Sequence, residues 1–292
     1  MMQEERKGEI YMLLLSLIES WFPILSLFSI PLIGAIYSYT FAIVIATVIF
    51  LSLLVYQKKV PELFQKNALK DLLLTTLFIN LLFVLVFIGL QYTTAGNMAV
   101  IIFLQLLFAY LYFNLFGSDT LSPMHTAGAA VMGLGALTVL VPDDLSFNRG
   151  DLIILIAAAI APFANLYQKR ARSYVSSETI LAFRNVVALP VIFALAYLFE
   201  PVPTAENLIK AAPYLLVIGF LVFGLAKVLW IEALHRISIT KVSAMLALPP
   251  IFTLIFAYFT LDEVPGIRQV LGIIPILIGG YLITRPAKAT DV

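Results

Sequence analysis

Two ionisable side chains sit inside apolar runs, where a charge is costly unless it meets a partner or a wet cavity. Glu19 lies in "LLLSLIESWFPIL" (13–25) and Lys227 in "VFGLAKVLWIEALHRIS" (222–238). A carboxylate there could couple protons or hold a substrate amine. It could equally be a neutral acid, hydrogen-bonded between helices. An ammonium could hold a substrate carboxylate, pair with Glu19, or snorkel to the interface. A second tier of amides, Asn80, Asn97, Gln91, Gln105, Asn165 and Gln168, could bind a solute or bridge helices. Trp21, Tyr110, Tyr167 and Trp230 could line a cavity or anchor spans at the interface. His125 and His235 stand on different segments, and no cysteine occurs, so no metal site is expected. No GxxxxGK[ST], HExxH, GxSxG or histidine box is present. The chain is therefore not expected to be an enzyme, and no catalytic residue or cofactor is assigned.

The elements that carry these residues are apolar runs of about 20 residues, each long enough to cross a hydrocarbon core about 30 Å thick. Ten are legible, at 10–32, 35–55, 72–92, 98–116, 124–141, 152–168, 179–199, 213–233, 242–261 and 267–284. Only 12% of the residues are charged, against about 25% in soluble domains. The expectation is an all-α polytopic membrane protein. A net charge of +1 gives no reason to expect nucleic acid as a partner. The first run follows "MMQEERKGE" without a small-residue cleavage site, so it reads as a retained span.

Positive charge sets the expected orientation. With the amino terminus inside, the inner side collects Arg6, Lys7, Lys58, Lys59, Lys66, Lys70, Lys169, Arg170, Arg172, Arg236, Lys241, Arg285 and Lys288. The outer side receives Arg149, Lys210 and Arg268. Both termini are predicted to be cytoplasmic, in a cell (inner) membrane, with the 142–151 loop outside. Glu19 is then about 14 Å, and Lys227 about 9 Å, from the inner end of its span. Helical side chains lean toward their own amino terminus, which tilts Lys227 toward the midplane and within reach of Glu19. The same lean carries Arg184 toward the cytoplasm and predicts snorkelling or a phosphate contact. Glu232 and Arg236, four apart, fit an interfacial helix pair.

The two halves resemble each other. A shift of 144 residues lays Leu90 on Leu234, Asp119 on Glu263, Gly128 on Gly272 and Gly135 on Gly279. Each half, 1–144 and 145–292, holds five spans. An odd number inserts the second half upside down, giving an inverted repeat around a central cavity, as in many secondary transporters. The glycines of "GAAVMGLG" and "LIGGY" allow close helix packing.

The stretch 230–284, "WIEALHRISITKVSAMLALPPIFTLIFAYFTLDEVPGIRQVLGIIPILIGGYLIT", resembles the second EamA module of the drug/metabolite transporter superfamily. The shared features are the small-residue start of span nine, Pro249 and Pro250 within it, the acidic Glu263 at its end, and a glycine-rich last span. The segment 77–140 resembles the first module more weakly, with Gln105 in the place of Pro249. Arg184 matches a family arginine, whereas Thr40 or Phe41 stands there in the first half. The resemblance implies ten helices around a central cavity and no particular substrate. The expected function is export or exchange of a small polar metabolite by alternating access, an amino acid or related zwitterion fitting one site of each sign. Protons are the candidate coupling ion. Glu19, Lys227, Trp21, Asn80, Gln105, Tyr110, Asn165 and Trp230 are the expected substrate contacts, with Pro249 and Pro250 as a gating break. The alternatives are a carrier of an anionic conjugate such as a nucleotide derivative, with Lys227 as counter-charge, and a non-transporting receptor or scaffold. A retinal protein, with Lys227 as Schiff base, is a further rival that ten spans and an inverted repeat oppose.

Overall fold

The computed structural model describes residues 2–112, 123–140, 148–236, 245 and 248–284. The 144/145 boundary, most of the 142–151 loop, Asp119, Lys241, Arg285 and Lys288 lie outside the described residues, as do the side chains of Glu232 and His235.

The described chain is helical: α1 (Met2–Ile33), α2 (Ala35–Tyr56), α3 (Leu69–Leu90), α4 (Ala95–Phe103), α5 (Gln105–Tyr110), α6 (Pro123–Leu140), α7 (Arg149–Ala171), α8 (Ser177–Phe199), α9 (Ala205–Val217), α10 (Ala226–Arg236), α11 (Leu248–Leu261) and α12 (Ile267–Thr284). A π-helical segment, Ile218–Leu225, joins α9 to α10. With α4–α5 and α9–α10 each counted once, these helices make ten passages. Among the described residues, six apolar stretches are long enough to cross a membrane, and Ala95–Tyr110, Leu248–Leu261 and Ile267–Ile283 are shorter.

Local chemistry explains the starts. Thr94, Asn148, Ser176 and Thr204 each accept a backbone N–H as N-caps of α4, α7, α8 and α9. The capped start at Thr204 carries passage eight from Ala205 to Arg236, longer than the expected 213–233, and the added turns are polar, with Glu206 and Lys210 paired at 2.7 Å. Serines buried in apolar α1 bond back to their own helix, Ser26 Oγ to Phe22 O at 2.7 Å among them.

The packing has a two-fold logic. α6 packs along α12, and α2 along α8; α3 pairs with α7 as α9–α10 pairs with α1; and α7 meets α4–α5 as α1 meets α11. Shifting α6 by 144 residues lays it on α12 end to end. Between these two helices a Cβ on Gly279 would lie 2.5 Å from Gly128 O, and one on Gly135 would lie 2.7 Å from Gly272 O. The glycines act as packing residues, letting two backbones touch.

Caps also cross between the halves. On the face opposite the amino terminus, Glu200 follows α8 and accepts from Ile36 N (2.9 Å) and Tyr37 N (3.0 Å) at the start of α2. On the amino-terminal face, Glu62 follows α2 and accepts from Ser176 N (2.7 Å) and Thr179 Oγ1 (2.7 Å) at the start of α8. Each central helix is thus clamped by the exit segment of the other, with carboxylates at the positive helix ends. Gly34 must be glycine: its φ is +91°, and a Cβ there would sit 2.5 Å from the Glu200 carboxylate.

Candidate substrate site

Lys227 Nζ donates to Glu19 Oε1 at 2.6 Å, joining α10 to α1. Their side chains are 23% and 26% exposed, so the pair is neither sealed in the core nor spread on the surface. Glu19 stands near the middle of α1, and Lys227 follows the π-helical segment by two residues. In that segment Gly219 lies against α2, where a Cβ would meet Ala42 O at 2.7 Å. π-segments inside helices often mark functional sites. One turn away from the pair, Phe22 and Phe223 pack with Phe83, Phe87 and Tyr39 in an edge-to-face cluster with ring centroids 4.8–6.0 Å apart. This aromatic wall lies one helical turn from the pair.

The remaining expected contacts are distributed over α1, α3, α5, α7 and α10. Trp21 stacks on Phe256 of α11, with centroids 4.9 Å apart. Trp230, one turn from Lys227, packs with Met12 and Leu15 of α1. Asn80 is buried in α3, accepting from Tyr39 Oη at 2.6 Å and donating to Thr76 O at 2.7 Å. Tyr110 is buried between α5 and α6, its hydroxyl 2.9 Å from Thr126 Oγ1. Gln105 opens α5 just after the helix breaks at Leu104, and it is half-buried. Asn165 is exposed on α7.

Pro249 and Pro250 are the second and third residues of α11, and neither has an N–H to donate. Pro249 cannot donate to Met245 O, and Ser16 Oγ of α1 approaches that carbonyl at 3.4 Å. Ser20 Oγ lies 3.2 Å from Pro249 O, and Thr253 Oγ1 donates to Ser20 O at 3.1 Å. Hydroxyls of α1 and α11 thus stitch the proline-containing start of α11 to the helix that carries Glu19. The matching passage in the first half breaks at Leu104, beside Gln105, without a proline.

Arg184 departs from one of its two expected roles, snorkelling. It does not snorkel: it is 4% exposed, enclosed beside α3 and α7, with Nε 3.4 Å from Asn185 Oδ1 and Nη1 3.4 Å from Gln168 Oε1. The lean rule gave its direction but not that neighbouring helices close over it. Sequence reasoning also missed a buried carboxylate at the opposite face. Asp151 accepts from Thr93 Oγ1 and, at 3.1 Å, from Asn97 Nδ2, while Glu263 accepts from Ala95 N (3.0 Å) and Gly96 N (3.2 Å). The start of α4 is therefore held by two acidic side chains from the second half. The signal for it was present in the adjacent Thr93, Thr94 and Asn97, a capping pattern. An apolar pocket of about 560 Å³, walled by α5, α6 and α7 and reaching Leu107, Gly133 and Leu155, offers nothing to a charged solute.

A model of the EamA-like transporter family matches residues 6–141 and 148–285. The chain belongs to the EamA-like transporter family. Its sequence is 25% identical over 244 residues to the uncharacterized transporter YoaV of Bacillus subtilis (strain 168), covering 82% of this chain and 83% of that one. It is 28% identical over 217 residues to an uncharacterized transporter of Archaeoglobus fulgidus, covering 70% and 72%. A solved protein crystal structure superposes with a TM-score of 0.65 at 17% identity, over 95% of this chain and 96% of that one, which shows a shared fold. This EamA-like protein is accordingly a multi-pass membrane transporter, with two family matches that fall one on each half.

Proposed function

We propose that the protein is a secondary transporter that exports or exchanges a small zwitterionic metabolite, an amino acid being the best match, by alternating access of its two halves. The observation that carries this reading is the 2.6 Å Lys227–Glu19 contact at mid-span, partly exposed and backed by an aromatic wall. One ammonium and one carboxylate in contact present opposite charges that a zwitterion can replace in kind. Its amine takes Glu19 and its carboxylate takes Lys227, so each buried charge stays paired as solute enters and leaves. Trp21, Trp230, Asn80, Gln105, Tyr110 and Asn165 are the proposed surrounding contacts, and Pro249 and Pro250 the proposed hinge. Protonation of Glu19 supplies a route for proton coupling.

The test is counterflow in liposomes loaded with pooled amino acids, amines and nucleotides. Exchange of an amino acid, abolished by Lys227→Gln and by Glu19→Gln, is the expected result. A carrier of anionic conjugates would keep its flux in Glu19→Gln, and a receptor or scaffold would give no flux with any solute. We also propose that the lysine-rich face is cytoplasmic, in the cell (inner) membrane. A single cysteine introduced at residue 58 should escape an impermeant reagent in intact cells, and labelling there would reverse the orientation.

A further inference from the structure

The geometry points to a second, separate binding position, an oxyanion site at Arg184. Lys227 has its carboxylate, whereas no acidic side chain lies within ion-pair distance of Arg184 among the described residues. A guanidinium offers five N–H donors in a planar fork matched to carboxylate or phosphate oxygens. Here two are engaged, both at 3.4 Å and both by neutral amide oxygens, so the strongest partner this group can have is missing among the described residues.

Two observations say that the charge is not there to build the fold. Shifting by 144 residues puts Thr40 in the corresponding place of the first half, fully buried, its hydroxyl satisfied by Ile36 O at 2.7 Å. The same packing position is therefore filled by a small neutral side chain. Asn165 lies one turn deeper along α7 than Gln168, on the same face, and is exposed inside a membrane-length helix. A polar amide there is better matched to a polar neighbour than to acyl chains, and it stands one turn from the Gln168 that holds Arg184.

The site is distinct from the Lys227–Glu19 pair. Arg184 O accepts from Asn80 Nδ2 (3.4 Å), and Asn80 bonds Tyr39. Tyr39 in turn packs on Phe83 and Phe223, with centroids 5.7 and 5.8 Å away. The aromatic wall separates the two cations. Arg184 stands seven residues into α8, about 10 Å from the lysine-rich face, so that face is the nearer of the two for an anion. The ligand is defined by its chemistry, a carboxylate or phosphate group, carried by a free solute or by a lipid headgroup.

The test uses the full-length purified protein in neutral detergent at constant ionic strength. Thermal unfolding is followed with added inorganic phosphate or glutarate against chloride, and separately with phosphatidylglycerol against phosphatidylcholine. Phosphate or glutarate should raise the unfolding midpoint by about 2–4 °C or more. Lys227→Gln should keep that shift, and Arg184→Gln should lose it. Arg184→Lys, which keeps the charge but not the fork, should weaken the apparent affinity about tenfold, and it serves if the glutamine variant folds poorly. A shift produced by phosphatidylglycerol alone would assign the site to a lipid headgroup. An equal shift in both Arg184 variants, or no shift with phosphate, glutarate or phosphatidylglycerol in the wild type, would overturn the proposal. The Arg184 readout is independent of amino-acid counterflow, so either idea can fail alone.

Discussion

The two halves of this protein agree wherever backbones must meet and disagree wherever charge is buried. Gly128 and Gly135 of α6 have Gly272 and Gly279 of α12 as their repeats, and each set lies against the other with no room for a Cβ. Glu62 and Glu200 clamp opposite ends of the same helix pair. By contrast Glu19 corresponds to Phe163, Lys227 to Phe83 and Arg184 to Thr40. The fold accommodates aromatic or small neutral residues at all three positions, so the charges are additions to it. Folding explains the symmetric residues; the asymmetric ones call for a ligand or for one another.

The sharpest way to break that comparison is to copy one half onto the other. Glu19→Phe combined with Lys227→Phe installs the residues that the repeat already carries. Folded yield should stay near wild type while solute counterflow falls to background. A misfolded double variant, with each glutamine variant folded, would show that the pair is structural. Single charge removals leave a lone ion behind, so each should be less stable than the double variant. A double-mutant cycle with glutamine at both positions should give a coupling of about 1–2 kcal/mol in unfolding free energy.

Next in size is the symmetric side of the comparison. Gly279→Leu and Gly135→Leu each drive a side chain into the facing backbone, so each should cost about 1–3 kcal/mol or more. The two effects should match, because the two contacts are related by the same axis. Gly133→Ala, on the same helix α6, is the control: a Cβ there meets nothing within 4 Å. Its midpoint should not fall. Unequal losses at 135 and 279 would argue against a common two-fold environment.

The prolines come third. Pro249 and Pro250 lie in the first turn of α11, so Pro249→Ala with Pro250→Ala restores two N–H donors without opening a cavity of any size. Folded yield should hold, while counterflow falls several-fold as the segment stiffens. Unchanged turnover would remove the prolines from gating and leave the Ser16 and Ser20 contacts as packing.

Much of this was legible in the sequence, for physical reasons that differ from element to element. Hydrophobic length announces a span regardless of its neighbours, so the passages were readable one at a time. Repeat register and glycine spacing gave the α6–α12 contact, because close packing depends on where side chains are absent. The meeting of Glu19 and Lys227 followed from depth and side-chain lean. The burial of Arg184 was not legible: its lean points toward the cytoplasmic end, and only tertiary context shows other helices closing over it. The π-helical turn before Lys227 left no mark either, because α and π windings use the same apolar residues. The cross-clamps by Glu62 and Glu200 join residues more than a hundred positions apart, which periodicity cannot report.

Those clamps supply the smallest effect and a last comparison, between the two faces. Glu62 is partly buried, which works to raise its pKa. The Ser176 backbone N–H, the Thr179 hydroxyl and Lys59 outweigh that burial and hold its carboxyl below the ordinary value of 4.5. A carboxyl whose folded pKa is lowered contributes stability that is complete above its unfolded pKa and is lost as pH falls through the folded value. The wild-type midpoint should therefore drop more steeply below about pH 4.5 than that of Glu62→Gln, whose amide does not titrate. At neutral pH the wild type should be the more stable, by a margin kept small by solvent screening. Glu200→Gln makes the matching change on the opposite face, replacing one of the two oxygens that accept from Ile36 N and Tyr37 N with an amide NH2 and removing the charge. Combining the two variants should give the sum of their losses, because the clamps sit at opposite ends of α2 and α8 and share no partner. Identical acid slopes in wild type and Glu62→Gln would mean that Ser176 and Thr179 hold the start of α8 without the carboxylate.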